Sequence, residues 1–474
     1  MSKPGTADNP LRVAVIGSGP AGFYAAGHLL KNKAHPDAVV QVDVLDRLPT
    51  PWGLVRAGVA PDHPNIKAVS RVYEKTAAHP EFRFYGNIEF GKDVTHEELA
   101  ERYHALIYAV GAQTDRHMDI EGEDLPGSWA ATEFVAWYNG HPDYRELEFD
   151  LSGKRAVVIG NGNVAMDVAR MLALPRAELE ETDTADHAIG PMADSQIEEI
   201  VILGRRGPAQ AAFTNPELLE LGELTDADVV VDPADMKLDA NSVRSISGDG
   251  DLTPRKNVEI LTEYSQREPE GKRKRVVLRF LLSPVAIKGE DRVEAIELVH
   301  NELHHAGDGR LSARPADARE TLECGIVFRS IGYRGVKLPG VPFDEWKGTI
   351  PNDAGRVIDP QAQHHLPGEY AVGWIKRGPS GVIGTNKRDA QETVDAVFED
   401  VDNGRLHEPA QPDRDATEAW LAERKPDLVA YAGWEAIDAA EKARGEPQGR
   451  PRVKLCSFEE LLAAAREGKA TPAA

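Results

Sequence analysis

Three glycines, Gly17, Gly19 and Gly22, follow directly on the β-branched apolar run LRVAVI and precede the apolar-faced stretch FYAAGHLLKN. Strand, tight turn and helix in that order make a phosphate cradle. The first glycine lets the chain turn, the second lets backbone approach a pyrophosphate, and the third lets helix pack on strand. Backbone N–H groups at the helix start, reinforced by the helix dipole, then face the negative charge. The next alternating run, VVQVDVLD, ends on Asp46, where an acid accepts hydrogen bonds from ribose hydroxyls. The same device recurs in KRAVVIGNGNVAMDVARMLALP, with Gly160, Gly162 and Ala165 in the three places. Its second strand, EEIVILG, ends not on an acid but on Gly204, Arg205 and Arg206. Two guanidiniums there suit a 2′-phosphate, which an acid would repel. One site thus reads as favouring an unphosphorylated ribose, such as that of FAD, and the other as favouring NADP. A third segment, GWIKRGPSGVIGTNKRDAQETV, reads as a tight turn into a helix beginning near Val382. Its N–H groups would stabilise negative charge on a reduced flavin, and the flat Trp374 would cover the ring.

The elements that must position these groups follow from periodicity. HALIYAVG (104–111) is expected to be a further buried strand, ECGIVFRSIG (323–332) a strand leaving a second domain, and EYAVGWI (369–375) a strand returning to the first. The fold class expected is α/β, with two Rossmann-like dinucleotide-binding domains, the NADP domain inserted into the FAD domain. The boundaries expected are 1–110 for the first part of the FAD domain, 111–330 for the inserted NADP domain, and 331–474 for the second part with a C-terminal extension. The acidic stretch RAELEETDTADHAIGPMADSQ reads as a solvated helix extension and loop, and the region beyond 400 as packing and capping helices.

Composition narrows the function. The chain has 474 residues, 41% of them hydrophobic, and a formal net charge of −23. That charge disfavours nucleic acid and anionic lipid. Mean hydropathy is −0.42 and no apolar run approaches membrane-spanning length. The polar start MSKPGTADNP is expected to be short and disordered, without a secretory signal, and a cytoplasmic location follows as an expectation. Cys324 and Cys456 are the only cysteines. They offer no Cys-x-x-Cys pair and no cluster of thiolates, so neither a dithiol relay nor a resident iron–sulfur or other metal centre is expected.

On the strings VAVIGSGPAGFYAA, GLVRAGVAPDHPNIK, GNGNVAMDVAR, GRRGPAQAAFT and GWIKRGPSGVIGTNK, the chain resembles the adrenodoxin-reductase-like family of ferredoxin–NADP(+) reductases. The similarity runs from Leu11 into the C-terminal region. It implies FAD contacts at Ala21, Asp46, Leu54, Val94, Trp374, Gly381, Val382 and Ile383. It implies NADP contacts at Asn161, Gly162, Asn163, Val164, Arg205, Arg206, Glu217 and Gly381. His63 and Glu220 fall where the family sets polar groups near the nicotinamide and flavin, as tuners or proton relays. Two departures stand out: Asp46 where the family usually carries Glu, and Met166 where it commonly has Leu.

The resemblance implies hydride transfer between NADPH and FAD and single-electron transfer between FAD and an external acceptor, ferredoxin. A flavin monooxygenase and an NADP(H)-binding redox sensor are the alternatives. Ferredoxins are usually acidic, so docking on so acidic a chain needs a local basic surface. The expected candidates are Arg255 with Lys256, and the run from Lys272 to Arg275.

Overall fold

The computed structural model describes residues 3–247, 251–305 and 311–470, the side chains of 468–470 excepted. It divides into two compact units, Met1–Thr114 with Tyr333–Ala474, and Asp115–Gly332. The first is built on β1 (Leu11–Ile16), α1 (Pro20–Leu30), β2 (Val40–Asp46), β3 (Phe82–Gly86) and β4 (Ala105–Tyr108). β1 pairs in parallel with β2 on one side and β4 on the other, so the strand order reverses there and the turn after β1 opens at the switch point. β3 extends β2, and the returning chain adds His365–Ala371 in parallel to β4. Short antiparallel strands close the edges, Val429–Ala430 on β3 and Arg356–Ile358 on His365–Ala371. Every residue of β1 is buried, as a parallel strand covered on both faces requires. Helix α1 contributes Phe23, Ala26 and Leu29 to a core shared with Ala390, Val394 and Val397 of the helix Thr385–Asn403.

A buried polar network joins the two stretches of this unit. Asp43 on β2 accepts from Arg12 at 2.8 Å, Tyr103 at 2.9 Å and Arg414 at 3.0 Å, and Arg12 also donates to the hydroxyl of Thr417 at 3.0 Å. Removing one partner would leave an uncompensated buried charge, so the set stands or falls together.

The second unit repeats the first strategy. Its six strands, all parallel, run in the order Ser128–Ala130, Ile326–Arg329, Arg155–Ile159, Glu199–Gly204, Lys274–Phe280, Ala227–Val231. Arg155–Ile159 lies at the switch point, and the helix Asn163–Ala173 follows it. A three-stranded antiparallel sheet, Leu282–Lys288, Ala295–His305 and Leu311–Glu323, completes the unit.

Several local expectations need correction. Met1 and Ser2 of the start lie outside the described residues, but from Lys3 on the start is not disordered. Gly5 N–H donates to Asn9 O at 2.8 Å and Val39 N–H to Gly5 O at 2.9 Å, which ties the turn to the edge of β2. The acidic stretch after Pro175 is not a solvated extension. It forms the helices Arg176–Glu180 and Asp186–Ala193, which bury Leu179, Ala188, Ile189 and Met192. The returning strand ends at Ala371 rather than Ile375, and Trp374 opens a four-residue helix, Trp374–Arg377. The helix expected near Val382 begins at Thr385, because Gly381, at φ +78°, still belongs to the turn.

Candidate dinucleotide-binding sites

In the first unit the turn after β1 is shaped by contacts no other residue type could make. Gly17 sits at φ +109°, and a Cβ there would lie 2.6 Å from the carbonyl oxygen of Ala109. Gly19 caps α1 with extended backbone, and Pro20 takes the first helical position, where no donor is lost. Gly22 passes so close to the turn that a Cβ would meet Gly17 O at 2.1 Å. Asp46, at the end of β2, accepts from Ser18 N–H at 2.8 Å and Ser18 Oγ at 2.5 Å on one oxygen, and from Leu48 N–H at 2.9 Å on the other. Burial pushes its carboxyl up, while the Ser18 and Leu48 hydrogen bonds favour the ionised form. A carboxylate has about four acceptor positions, so a minority remains for a ribose hydroxyl. The acid thus braces the turn.

In the second unit Gly160 sits at φ +119°, and a Cβ would lie 2.1 Å from Ser330 O. A Cβ on Gly162 would meet nothing within 4 Å, which leaves this part of the turn open. Ala165 is fully buried, as close helix packing requires. Asn163 locks the helix start to the next loop: its Oδ1 accepts from Thr214 N–H at 2.9 Å and its Nδ2 donates to Glu217 at 3.0 Å. Val164 is half-buried in the same first turn. At the end of the strand Glu199–Gly204, Arg205 is exposed and Arg206 half-buried. Neither has a carboxylate within 4 Å among the described residues, although most of the chain's guanidiniums do. Burial, and next the neighbouring Arg205, pull the Arg206 guanidinium below its ordinary range. Two adjacent cations without a counter-charge among the described residues are compatible with an anionic ligand.

The chain as a whole is similar to proteins named as reductases. The pyridine nucleotide-disulphide oxidoreductase family model matches residues 11–203. NADPH-ferredoxin reductase FprA of Mycobacterium tuberculosis is 52% identical over 458 residues, 96% of this chain and 98% of that protein. The chain belongs to the adrenodoxin-reductase-like family of ferredoxin–NADP reductases. The mitochondrial NADPH:adrenodoxin oxidoreductase of Salvelinus fontinalis is 40% identical over 96% of this chain and 91% of that one. The solved structure of Mycobacterium tuberculosis FprA in complex with NADPH superposes with a TM-score of 0.91 at 52% identity, over 97% of this chain and 100% of the other.

The residues fit the dinucleotides of this family. Around the first turn, the indole N–H groups of Trp52 and Trp374 are buried with no partner, donors left for a ligand. Around the second, Asn161 Nδ2 is likewise buried without a partner, lying over Gly204 where a Cβ would come within 2.6 Å. Despite the family model's name, no dithiol is formed. Cys324 and Cys456 lie in different units, both buried, and burial pushes their thiols up to about 12 and about 11, far from a reactive thiolate.

The other family positions are placed as follows. Ala21 is buried in α1 beneath Gly373, whose Cβ would strike it at 2.5 Å, so the returning segment rests on the first helix. Leu54 opens the short helix Leu54–Ala57. Trp374 packs on Tyr333 with ring centroids 5.1 Å apart. Gly381 and Val382 are exposed, whereas Ile383 packs against the core. Val94 is fully buried in a core cluster with Ile16, Leu45 and Tyr108, and its carbonyl accepts from Gly91 N–H at 2.7 Å. His63 is buried at the start of the helix Pro64–Lys67, its carbonyl accepting from Ile66 and Lys67 N–H. Glu220, on the helix Asn215–Leu221, pairs at 3.3 Å with Arg170, which is buried and also holds Asp167 at 3.0 Å.

Sequence reasoning missed the Trp52–Gly53 turn. Trp52 adopts φ +84° and donates its N–H to Ser18 O at 2.9 Å, and a Cβ on Gly53 would lie 2.9 Å from Gly19 Cα. A Trp-Gly pair beside a phosphate loop was the available clue. The run from Lys272 to Arg275 is not a basic patch. Lys272 reaches Glu270 at 3.4 Å, Arg273 reaches Asp226 at 2.6 Å, Arg275 pairs with Glu199, and Lys274 is buried with its Nζ on Leu172 O. The run enters a strand, and its side chains are spent within the sheet.

Proposed function

We propose that the chain is an FAD-dependent NADPH–ferredoxin reductase, with FAD held by the unit Met1–Thr114 plus Tyr333–Ala474 and NADPH by the unit Asp115–Gly332. The observation that carries this reading is the contrast between strand ends, Asp46 in one unit and, in the other, Arg205 and Arg206, without a carboxylate within 4 Å among the described residues. Gly17, Gly19, Gly22 and Asp46 would hold the FAD diphosphate and ribose, with Trp374 and the turn Gly381 to Ile383 at the flavin end. Gly160, Asn161, Gly162 and the N–H groups of Asn163 and Val164 would hold the NADPH diphosphate. When bound, FAD supplies the conversion of a hydride from NADPH into single electrons. The chain binds and orients the two dinucleotides; His63 and Glu220 set the polar surroundings of the reacting rings. Arg255 and Lys256 are the docking candidates for an acidic ferredoxin. Each is more than half exposed and, among the described residues, paired with Glu259 on its own helix, a pairing weak enough for a partner to displace. A cytoplasmic site of action goes with two free cysteines.

The test is anaerobic mixing of the purified protein with NADPH, followed by cytochrome c reduction in the presence of ferredoxin. Rapid bleaching of a yellow protein and ferredoxin-dependent cytochrome reduction are expected. Charge reversal at Arg255 and Lys256 should slow the cytochrome assay several-fold and leave ferricyanide reduction nearly unchanged. A colourless protein, or NADPH oxidation that requires an organic substrate, would overturn the reading.

A further inference from the structure

The two arginines at the end of the strand Glu199–Gly204 repel one another and have no carboxylate within 4 Å among the described residues, and their backbone is held on both sides. Both of their carbonyls are clamped. Leu281 N–H donates to Arg206 O at 3.2 Å, from a residue at φ +57°, a left-handed conformation that leucine seldom adopts. Asn301 Nδ2 donates to Arg205 O at 2.9 Å and to Ser283 Oγ at 2.8 Å. Asn301 is itself buried, and its own N–H donates to Leu281 O at 2.7 Å. The strand pairing slips between Val299 and Asn301, which re-aims the side chain at this point. A bulge, a left-handed leucine and a buried amide therefore converge on two successive carbonyls of the arginine pair.

Resting on the NADPH-site reading above, we infer that Asn301 is a positioning residue for coenzyme choice: through the Arg205 carbonyl it sets the Arg205–Arg206 guanidiniums to receive the 2′-phosphate. A part-buried carbonyl held by a buried amide loses that hold when the amide is removed, which lets the loop relax away from the geometry that two like charges resist. The rest of the nucleotide is held at the glycine turn and does not depend on the clamp.

The experiment titrates the FAD-loaded protein with 2′,5′-ADP and with 5′-AMP by calorimetry, in wild type, Asn301→Leu, Arg205→Ala/Arg206→Ala and the triple variant. Asn301→Leu is expected to weaken 2′,5′-ADP about tenfold and leave 5′-AMP within about twofold. The KM for NADPH should rise in step while kcat stays within about twofold. In the triple variant Asn301→Leu should add less than about twofold to the arginine loss. Equal weakening of both nucleotides, or unchanged 2′,5′-ADP affinity, overturns the proposal. If the arginine double variant itself binds 2′,5′-ADP as wild type does, the NADPH-site reading fails and not the clamp alone. Should Asn301→Leu give no soluble protein, Asn301→Ser, whose hydroxyl falls short of the Arg205 carbonyl, is titrated instead. Wild-type affinity for 2′,5′-ADP in that variant overturns the proposal equally.

Discussion

The two units solve one problem with one backbone and opposite side chains. Both place a left-handed glycine after the strand at the switch point, with a carbonyl of a neighbouring segment directly under it, Ala109 O in one and Ser330 O in the other. They differ in what lies at the end of the next strand. Asp46 is held by three hydrogen bonds and built into the turn, whereas Arg205 and Arg206 have no counter-charge among the described residues. On the proposed reading the shared part would recognise a diphosphate, which both coenzymes carry, and the unshared part would tell a ribose hydroxyl from a ribose phosphate.

That comparison breaks most completely at the glycines. Gly17→Ala forces a left-handed alanine onto Ala109 O and is expected to yield colourless protein, while Gly160→Ala is expected to stay yellow and fail to bleach with NADPH. Loss of flavin absorbance from the Gly160 variant alone would reverse the assignment of the units. Next in size is the arginine pair. Each charged hydrogen bond to a phosphate is worth roughly 1.5–3 kcal/mol, so replacing Arg205 and Arg206 with alanine should weaken NADPH on the order of a hundredfold or more. NADH kinetics should hardly move, and unchanged NADPH kinetics would remove the second site.

A smaller effect is expected at His63 and Glu220. Alanine at either should retain FAD and change the rate or pH profile of flavin reduction several-fold in stopped flow. Wild-type rates at every pH would leave both as structural residues. Smallest is a pH effect confined to the first unit. His104 is buried and accepts the Arg12 backbone N–H at 3.1 Å on Nδ1; burial, then the Arg12 charge, pull its pKa down to about 4. Unfolded, it takes up a proton near 6.5, so between 6.5 and 4 the unfolded chain binds more protons and stability falls as pH falls. The melting midpoint should drop by about 2–4 °C for each kcal/mol lost between pH 7 and pH 5. His104→Asn should flatten that slope, and an unaltered slope would assign the acid sensitivity elsewhere.

Much of this was legible because it is local. Glycine spacing, the strand that precedes it and the charge at the next strand end all lie within short windows, and the strands β1, β2 and β4 fall where alternation puts them. What escaped is set by partners far away in sequence. Nothing in TPRKN or KRKR says which lysine will find an acid, and Lys274 is buried with its Nζ on the carbonyl of Leu172, 102 residues away. Nothing around GRRG reveals Asn301, whose bond to Arg205 spans 96 residues. The start of the chain looked disordered because its turn is held by Val39, beyond the reach of composition.

The hydrogen bond from Arg12 to Thr417 joins residues 405 positions apart, and β4 waits for a neighbour that lies beyond the whole of the second unit. During synthesis the residues 115–332 are therefore complete and can fold while their host is still a half-built sheet with β4 unpaired along one edge. Chains emerge at about 5–20 residues per second, so that edge stays open for many seconds before His365–Ala371 arrives, and longer before the Asp43 network closes. An exposed parallel edge is a template for other chains. The inserted arrangement that gives this enzyme two coenzyme sites also gives it a long aggregation-prone interval at birth, and slower translation through residues 333–417 should lengthen that interval and lower the soluble yield.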